Sequence, residues 1–383
     1  LAYISYNTYP GWKYREVIRD AMMFRSANIK NAQERLSYGL GMIDFLQEHS
    51  PVGSLNKSNI DATQSLLKNA QDYYLLHDYF ELCNLPCYFH EFIERSKRNK
   101  LIYLAESQPS TMFVSNFPSN ISEPLLRECG GNQVVLEQHL DFLNERTFRQ
   151  TILVPENRAS EINYQIDNPR LQQLHFAGTF TPIESSNRLI GLDESLTFQT
   201  INGAVKIEHP LAILAAQILD EHYPSTLEIH TLIQIVNQKS QHTDKPQKLI
   251  ECLPIIFQFI QSMIIKGMIR YRCSPITLAT EIAEYPLKDA HTYQTHTNKG
   301  LITNTWHDPI QLNVIEQSIL PLLDGQHDYA SLRNHLHQEA ANHRITFSKQ
   351  DLPITNPEEL EASINDHLQT NLISLKRKGL LAR

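Results

Sequence analysis

A helical pattern that occurs twice in the last 175 residues constrains the fold more than any other feature of the sequence. Each copy predicts two helices separated by a turn and then a long third helix, which ends in Lys-Gly followed by apolar residues at 266–269 and 378–381. This order of elements is typical of a winged helix, a relative of the helix-turn-helix. We therefore predict winged-helix-like modules at 209–280 and 306–383, with a polar linker at 281–305 between them.

The residues before this repeat predict a helical domain followed by a short β-rich segment. Between 13 and 151, apolar residues recur mostly three and four positions apart, which is the spacing of one face of an α-helix. Residues 152–208 are alternating and rich in turns, which is typical of β-hairpins. Residues 1–12 begin with a β-prone stretch, Ala2 to Tyr6, that we expect to be an interior strand with its partners upstream. The predicted fold class is therefore mainly α with minor β (α+β).

The overall composition excludes several classes of protein. The formal net charge is −8, which argues against a general nucleic-acid binder because such proteins usually carry a basic surface. The longest apolar run, 249–265, is interrupted by polar residues and by Pro254, so we expect no membrane span. Five cysteines in 383 residues do not suggest a disulfide framework. The simplest interpretation is a cytoplasmic protein with reduced thiols.

The residue pattern contains neither a cofactor loop nor a metal site. A chain that binds a nucleotide-like cofactor by itself needs a glycine-rich turn after a strand and an acidic residue at the next strand end. Gly39-Leu40-Gly41 lies within a helical pattern and Gly130-Gly131 in a loop, so neither pair fits. Cys83 and Cys87 have no second pair at the spacing of a zinc site, so we predict no metal.

The winged-helix pattern raises DNA binding as an alternative function. In such modules the third helix enters the major groove with basic and amide side chains near its start. Here the third helices begin with Leu-Ile-Glu-Cys-Leu at 249–253 and with Pro-Glu-Glu-Leu-Glu at 357–361, and these carboxylates would repel phosphates. We therefore expect the modules to bind protein or to pack within the molecule, and we expect no nucleic-acid partner.

Spaced motifs in the first 151 residues resemble a known family. The densest motif is Tyr-Ile-Ser-Tyr-Asn-Thr-Tyr-Pro-Gly-Trp at 3–12, and others follow at 76–80, 86–92, 103–106 and 138–151. These motifs resemble the bacterial methyltransferase regulatory-domain family, which comprises class I S-adenosylmethionine-dependent methyltransferases related to protein lysine methyltransferases. The resemblance extends more weakly through the winged-helix-like modules.

The resemblance implies the architecture and the cofactor of the complete protein. It implies an S-adenosylmethionine-binding domain followed by helical, middle and C-terminal domains that dimerise and shape the cleft for a protein substrate. By this resemblance, 1–12 is a remnant of the catalytic sheet and 13–151 is the methyltransferase regulatory domain. Because the glycine-rich turn and the ribose-binding acid are missing, we expect that this chain binds no cofactor and is inactive alone, whereas the complete protein is a methyltransferase.

The first motif supplies the candidates closest to a substrate or cofactor, which are Tyr6, Asn7, Thr8, Pro10, Gly11 and Trp12. Asn7 and Thr8 are expected at the carboxyl end of a strand, where open α/β sheets place ligand-binding residues. Trp12 and the tyrosines at 3, 6 and 9 are candidates for an aromatic wall that holds the acceptor amine through cation–π contact. The alternative is a turn with a packed tryptophan.

The later motifs supply further candidates, which are His77, Asp78, Tyr88, His90, Glu91, Arg146 and Arg149. His90 is also compatible with a satisfied, buried histidine in a helix. Arg146 and Arg149 lie three apart, so on one helical face they could hold a substrate carboxylate or form a salt bridge to a neighbouring helix. The residue pattern leaves the catalytic residues unknown.

The sequence therefore favours the regulatory and substrate-recognition portion of an S-adenosylmethionine-dependent methyltransferase that acts on lysine in a protein substrate, with a homodimer as a possible assembly. Two alternatives are a non-catalytic interaction scaffold with tandem winged helices and a DNA-binding regulator. Methylation by the complete protein would favour the first hypothesis. A stable partner complex without methylation would favour the scaffold, and salt-sensitive DNA binding would favour the regulator.

Overall fold

The computed structural model describes residues 1–183, 195–241, 249–279, 281–289, 293–294, 300–349 and 352–382. Helical periodicity and capping residues set many of the boundaries of its elements. The side chains of Asn31 and Ser54, for example, accept backbone N–H groups at the starts of their helices. These N–H groups have no partner within the helix, so the caps favour the observed starts. The chain divides into two units, 1–165 and 166–383.

The first unit consists of the following elements in chain order: β1 (Ala2–Asn7), α1 (Gly11–Arg25), α2 (Ala32–His49), α3 (Leu55–Asn69), α4 (Asp72–Phe80), α5 (Phe89–Arg98), β2 (Leu101–Glu106), α6 (Ser119–Cys129), α7 (Gln133–Leu143) and β3 (Phe148–Pro155). Short 3-10 helices lie at Pro109–Met112, Val114–Asn116 and Glu156–Glu161. The predicted helical region is therefore interrupted by β2, and its predicted end at residue 151 lies inside β3.

The strands of the first unit form one sheet in the order β1-β3-β2. β3 is antiparallel to both neighbours, so β1 and β2 are parallel and their carboxyl ends lie at the same edge of the sheet. In this register Tyr6 lies opposite Arg149, and Glu106 lies opposite Thr151. The strand predicted at residues 2–6 is present, but the partner that the structure gives it lies downstream in the same chain.

Helices α1 to α4 pack around a shared apolar core that includes Ile18, Leu36 and Ile60. Gly39 on α2 allows a close approach within this core, because a Cβ at this position would lie 2.5 Å from Cζ of Phe80. The prediction that Gly39-Leu40-Gly41 lies in a helix, as a packing site and not as a cofactor loop, agrees with this geometry.

The second unit consists of α8 (Asn168–Leu171), β4 (His175–Ala177), β5 (Thr181–Pro182), β6 (Leu196–Thr200), β7 (Gly203–Ile207), α9 (Pro210–His222), β8 (Leu227–Glu228), α10 (Ile229–Ser240), α11 (Leu249–Ile265), β9 (Arg270–Arg272), β10 (Tyr293–Gln294), β11 (Leu301–Thr303), β12 (Pro309–Gln311), α12 (Val314–Ile319), α13 (Tyr329–Ala341), β13 (Ser348–Lys349), β14 (Leu352–Pro353) and α14 (Pro357–Arg377). A 3-10 helix, Leu320–Leu322, follows α12 directly. The six helices of the two predicted modules are all present.

The two three-helix patterns share one arrangement of extended segments. In the first module β8 follows α9 and β9 follows α11, and both pair with β4, which precedes α9. In the second module Asp324, after α12, and Leu381, after α14, pair with Leu287 and Lys288, which precede α12. In both modules, the segment that pairs with the other two therefore lies upstream of the first helix in the sequence. This common placement supports the predicted repeat.

An ion pair and a tryptophan join the two modules within the second unit. The guanidinium of Arg270 donates to both carboxylate oxygens of Asp308, at 2.7 and 2.8 Å. The Trp306 indole N–H donates to the carbonyl of Pro224 at 2.9 Å, and the ring centroid lies 5.0 Å from the Arg270 guanidinium carbon. The junction is therefore built from specific polar contacts.

The predicted linker contributes to the C-terminal module. Ile302 is buried in the core of that module, and Ile282 packs against the same core. Residues 290–292 and 295–299 of the predicted linker lie outside the described residues.

The fold class is confirmed as mainly α with minor β, since helices account for 54% and strands for 16% of the described residues. The β-hairpins predicted in 152–208 are represented by β6 and β7, while residues 184–194 lie outside the described part of the chain. Within the described ranges, no helix combines the length and the apolar character needed to cross a membrane.

Candidate functional site

Hydrogen bonds to two other segments fix the turn that follows β1. Thr8 is fully buried, and its hydroxyl donates to the carbonyl of Cys87 at 2.8 Å. The Gly11 N–H donates to the carbonyl of Arg146 at 3.0 Å. Pro10, which follows a cis peptide bond, is the N-cap residue of α1. The carboxyl end of β1 is therefore held against the loop between α7 and β3.

The structure separates the aromatic residues that the sequence placed in one wall, namely Tyr3, Tyr6, Tyr9 and Trp12. Trp12 is only 1% exposed and packs against Tyr79 with ring centroids 5.7 Å apart. Tyr6 stacks on Phe92 at 4.1 Å, whereas the alternation of a strand directs the exposed Tyr3 to the opposite face. The predicted wall is wrong, and Trp12 is a packed tryptophan at the start of α1, directly after the turn.

Tyr9 instead belongs to a group of rings around Tyr88. The Tyr9 and Tyr88 centroids are 5.3 Å apart, and the rings of Phe142 and His90 lie 5.6 and 5.7 Å from Tyr88. The ammonium of Lys13 lies 4.5 Å from the Tyr9 centroid and 5.7 Å from that of Tyr88. We call Tyr9, Lys13, Tyr88, His90 and Phe142 the aromatic cluster.

His90 and Glu91 lie at the start of α5, directly after Tyr88. His90 is exposed, so the alternative of a buried histidine is wrong. Its backbone N–H donates to Oε1 of Gln138 at 3.2 Å, and its Nδ1 lies 2.9 Å from the same oxygen. The Glu91 carboxylate accepts the Tyr88 N–H at 3.1 Å, which caps the helix. These bonds orient Tyr88 and His90 relative to α7.

Asn7 and Asp78 are linked through a third residue, Asn84. The Asn7 side-chain amide donates to Oδ1 of Asn84 at 3.2 Å, and the Asn84 amide donates to the backbone carbonyl of Asp78 at 3.0 Å. His77, the neighbour of Asp78 on α4, is exposed. The first motif therefore meets the motif at 76–80 through Asn84.

Charged side chains are buried next to β1. The hydroxyl of Tyr6 lies 3.3 Å from that of Thr151, which in turn donates to Glu106 at 2.9 Å. Arg149 on β3 has no exposed surface and contacts three carboxylates: Glu106 at 2.8 Å, Glu137 at 3.1 Å and Asp141 at 2.8 Å. We call Glu106, Glu137, Asp141, Arg146 and Arg149 the buried ion cluster.

Arg146 and Arg149 do not share a helical face, so that prediction is wrong. Arg149 lies on β3, and Arg146 lies in the loop after α7, where it contacts Glu106 at 3.0 Å and Asp141 at 3.8 Å. Both arginines do bind carboxylates, but these carboxylates belong to the same unit. Sequence reasoning missed the acids. The available signal was the four-residue spacing of Glu137 and Asp141, which places both on one face of α7.

Burial controls the protonation of this cluster. Burial raises the pKa of Glu137 to about 7 and raises the pKa of Asp141, and nearby Arg149 opposes both effects. Burial would lower the pKa of Arg149, but the surrounding carboxylates raise it further above its usual range. Arg149 therefore stays charged. Around Glu137 itself, Arg149, Gln133 and the Tyr103 hydroxyl all donate to the carboxylate, at 3.1, 2.9 and 2.8 Å.

Two cavities border the loop formed by residues 144–147. The larger has a volume of about 740 Å³ and lies between α1, α3 and this loop, with Gly11, Lys13, Asn59 and Glu145 among its lining residues. The smaller, of about 430 Å³, is lined in part by Asp141 and Arg146 of the buried ion cluster. The loop therefore connects the buried ion cluster, the turn after β1 and both cavities.

The described residues do not fit an S-adenosylmethionine site. The two closely spaced glycine pairs lie inside α2 and directly after α6, and neither follows a strand. Glu106, the acid at the end of β2, is already bound by both arginines of the cluster. In the ranges that the structure describes, no group of three or more His, Cys, Asp or Glu residues could hold a metal ion.

Two family models match parts of the chain. Residues 71–155 match the predicted methyltransferase regulatory domain, and residues 284–380 match the PKMT C-terminal winged helix domain. Together with the fold, these matches confirm the resemblance to a methyltransferase-related family.

Individual relatives come from Rickettsia. The chain is 26% identical over 377 residues to the uncharacterized protein RP789 of Rickettsia prowazekii (strain Madrid E), a match that covers 95% of this chain and 66% of that protein. It is 24% identical over 255 residues to the uncharacterized protein RP027 of the same organism, covering 63% of this chain and 99% of that protein. The chain therefore spans less than two thirds of RP789.

A solved structure has the same fold. PKMT2 from Rickettsia typhi in complex with AdoHcy superposes with a TM-score of 0.81 at 23% identity, covering 99% of this chain and 74% of PKMT2. A second structure of PKMT2 gives a TM-score of 0.80 at 24% identity, covering 100% of this chain and 74% of PKMT2. At this identity the match establishes the fold.

Proposed function

We propose that this chain is the regulatory and substrate-recognition portion of an S-adenosylmethionine-dependent methyltransferase that modifies lysine in a protein substrate. The proposal rests mainly on the arrangement at the carboxyl end of β1. There, a turn fixed by hydrogen bonds meets the aromatic cluster and a cavity of about 740 Å³. The two family-model matches and the presence of AdoHcy in a structure of PKMT2 support it.

The sheet geometry explains why this edge suits the acceptor side of such a reaction. β1 and β2 end at the same edge of the sheet, and the turn after β1 brings Tyr9 against Tyr88 at this edge. The buried ion cluster fixes the adjoining loop, while the aromatic cluster and the cavity remain accessible for a substrate. Methyl transfer by in-line attack depends mainly on such positioning.

The cofactor is assigned in this proposal to the complete protein. S-adenosylmethionine supplies the methyl group when bound, and the residues of this chain contribute to orienting the acceptor. The proposal also includes a cytoplasmic location and a homodimer, which follow from the composition and from the family resemblance.

Two measurements test the proposed function. Calorimetric titration of this chain with S-adenosylhomocysteine should give no heat of binding at high micromolar ligand, whereas the complete protein should transfer labelled methyl groups to lysine, located by mass spectrometry. Saturable one-to-one binding to this chain would overturn the assignment of the cofactor to the rest of the protein. A complete protein that forms a stable partner complex but transfers no methyl group would favour the interaction scaffold instead.

A further inference from the structure

The aromatic cluster holds an ammonium group between two tyrosine rings. The ammonium of Lys13 lies within 6 Å of both the Tyr9 and the Tyr88 centroid, at 4.5 and 5.7 Å, which is the range of cation–π attraction. Phe142 and His90 extend the aromatic surface around Tyr88. Rings that surround a cation in this way also form the sites that recognise organic ammonium ligands.

Carboxylates near the rings strengthen the preference for a cation. The Tyr9 hydroxyl donates to the Glu16 carboxylate at 2.6 Å, and the Glu91 carboxylate lies at the Tyr88 backbone N–H. Burial and the hydrogen bond to Glu16 raise the pKa of Tyr9, so its phenol stays neutral. The cluster therefore presents a neutral Tyr9 ring bordered by the carboxylates of Glu16 and Glu91, and Glu91 also lies 3.9 Å from Arg95.

Lys13 is held weakly at this position and is next to open space. Among the described residues, it has no carboxylate within the 4.0 Å of an ion pair, so the rings are its main partners. Lys13 is exposed, and it also lines the cavity of about 740 Å³. Tyr9 and Tyr88 are themselves only half-buried, so an ammonium group from solvent can reach the rings once the exposed Lys13 moves aside.

We propose that Tyr9 and Tyr88 form the binding site for the ammonium group of the acceptor lysine, and that Lys13 occupies this site when no substrate is bound. The role of that lysine as a methyl acceptor rests on the proposed function. The binding of an alkylammonium group, by contrast, follows from the geometry of the rings and carboxylates alone. The substrate class is thus a protein segment with an accessible lysine side chain.

Titration of this chain with a short lysine-containing peptide tests the site, using a peptide with norleucine in place of lysine as the uncharged control. We expect Lys13→Met to bind the lysine peptide about fivefold to tenfold more tightly than the unchanged chain, because the internal competitor is gone. In the Lys13→Met background, Tyr88→Leu should weaken binding by about threefold to tenfold, whereas Tyr88→Phe retains a ring and most of the affinity. Circular dichroism checks that each variant is folded.

Matched variants separate local effects from general ones. Lys68→Met removes an exposed lysine on α3, and Phe24→Leu removes an exposed ring on α1, so neither should change binding. Equal affinity for the lysine and norleucine peptides, or no gain from Lys13→Met, would overturn the proposed site.

Failure of this site is distinguishable from failure of the proposed function, since the titration needs no cofactor. If the complete protein transfers no methyl group while the binding pattern holds, the ammonium site stands and the methyltransferase proposal fails. If the complete protein methylates lysine and Tyr88→Leu leaves its KM unchanged, the methyltransferase proposal stands and the acceptor role of the site fails.

Discussion

At the scale of single residues, the buried ion cluster combines three carboxylates with two arginines, and only Arg146 among them is appreciably exposed, at 18% of its side chain. Removing such charges from water costs several kcal/mol per ion, and this cost is offset only where each charge meets an opposite one in good geometry. Arg149 meets this condition through three ion pairs. Burial is the main reason why Glu137 binds a proton more tightly than an exposed glutamate does, and nearby Arg149 opposes this effect.

The raised pKa of Glu137 predicts that the first unit loses stability as pH rises from about 4.5 to about 7. In this interval the unfolded chain releases a proton that the folded state retains, so the free energy of unfolding falls. A pKa of about 7 against 4.5 in the unfolded chain corresponds to about 3 kcal/mol at about 1.4 kcal/mol per pH unit. Urea unfolding of the unchanged chain and of Glu137→Gln over this range measures the difference.

The two tryptophans of the chain allow this measurement to be confined to the first unit. In a Trp306→Phe background the remaining tryptophan, Trp12, reports on the first unit alone. Glu161→Gln is the control, because its partner Arg158 lowers the pKa of Glu161 and the pH effect has the opposite sign. Parallel pH curves for the unchanged chain and Glu137→Gln would contradict the prediction.

Arg149→Met should destabilise the first unit by about 3–5 kcal/mol at neutral pH, since it leaves buried carboxylates without their main partner. The loss should shrink at acidic pH, where the carboxylates take up protons. Urea unfolding monitored by Trp12 fluorescence measures both effects. Arg158→Met is the control, because its ion pair with Glu161 is half exposed and such pairs contribute little. A loss below about 1 kcal/mol for Arg149→Met would show that the cluster is not a stabilising unit.

At the scale of residues, the sequence indicates which kinds of side chain take part in polar contacts better than it indicates which residues they contact. The pairing of Arg146 and Arg149 with carboxylates could be anticipated, but Glu106 on β2 is about 40 residues away in sequence, and the contacts of both arginines depend on how β2 and α7 pack against β3. Tyr9 could be assigned to a cation-binding surface, whereas the position of Tyr88 beside it depends on how α5 packs. Such contacts depend on tertiary packing and leave no periodic signal in one sequence.

At the scale of elements, the contact between the turn after β1 and the loop after α7 depends on Gly11. A Cβ on Gly11 would lie 2.2 Å from the carbonyl oxygen of Glu145 and 2.7 Å from that of Arg146, so it would collide with backbone. Glu145 itself has a φ of 47°, which is uncommon for a residue other than glycine. The loop therefore has a fixed, partly strained conformation at the wall of the larger cavity.

Gly11→Ala should destabilise the first unit by about 1–3 kcal/mol, because backbone atoms must move to accept the methyl group. In the complete protein it should also lower methylation, since the loop would shift at the proposed site. Gly41→Ala is the matched control. Its Cβ would meet only the flexible guanidinium of Arg25 at 3.0 Å, and alanine favours a helix by about 1 kcal/mol over glycine. Thermal unfolding of both variants gives the comparison, and equal effects would contradict the close-approach argument.

Elements with strong periodicity could be predicted from the sequence, while short ones could not. The long third helices, 249–266 and 357–378 in the prediction, agree with α11 and α14 to within a residue. The strand β2 lies within the region predicted as helical, because six residues of mixed character fit both periods. The sheet order β1-β3-β2 depends on pairing between segments about 145 residues apart, which no local pattern reveals.

At the scale of the whole molecule, the repeat explains why the second unit contains two similar modules joined by specific contacts. Each module has its own apolar core, around α9–α11 and α12–α14. Between them, the bidentate pair of Arg270 and Asp308 and the hydrogen bond from Trp306 act together with the ion pair of Arg377 and Asp220 at 2.9 Å. Modules with separate cores need such contacts to unfold as one.

Asp308→Ala should therefore separate the unfolding of the two modules. Removing one partner of a half-buried bidentate pair leaves Arg270 without its carboxylate and loosens its contact with Trp306, while both cores stay intact. Hydrogen exchange under mildly denaturing conditions should then show α9–α11 and α12–α14 opening at different denaturant concentrations, whereas the unchanged chain opens both together. Glu359→Ala, which breaks an exposed pair with Lys349 inside the second module, is the control and should leave the two transitions coupled. If Asp308→Ala also leaves them coupled, the apolar packing between the modules, and not the polar junction, makes the second unit cooperative.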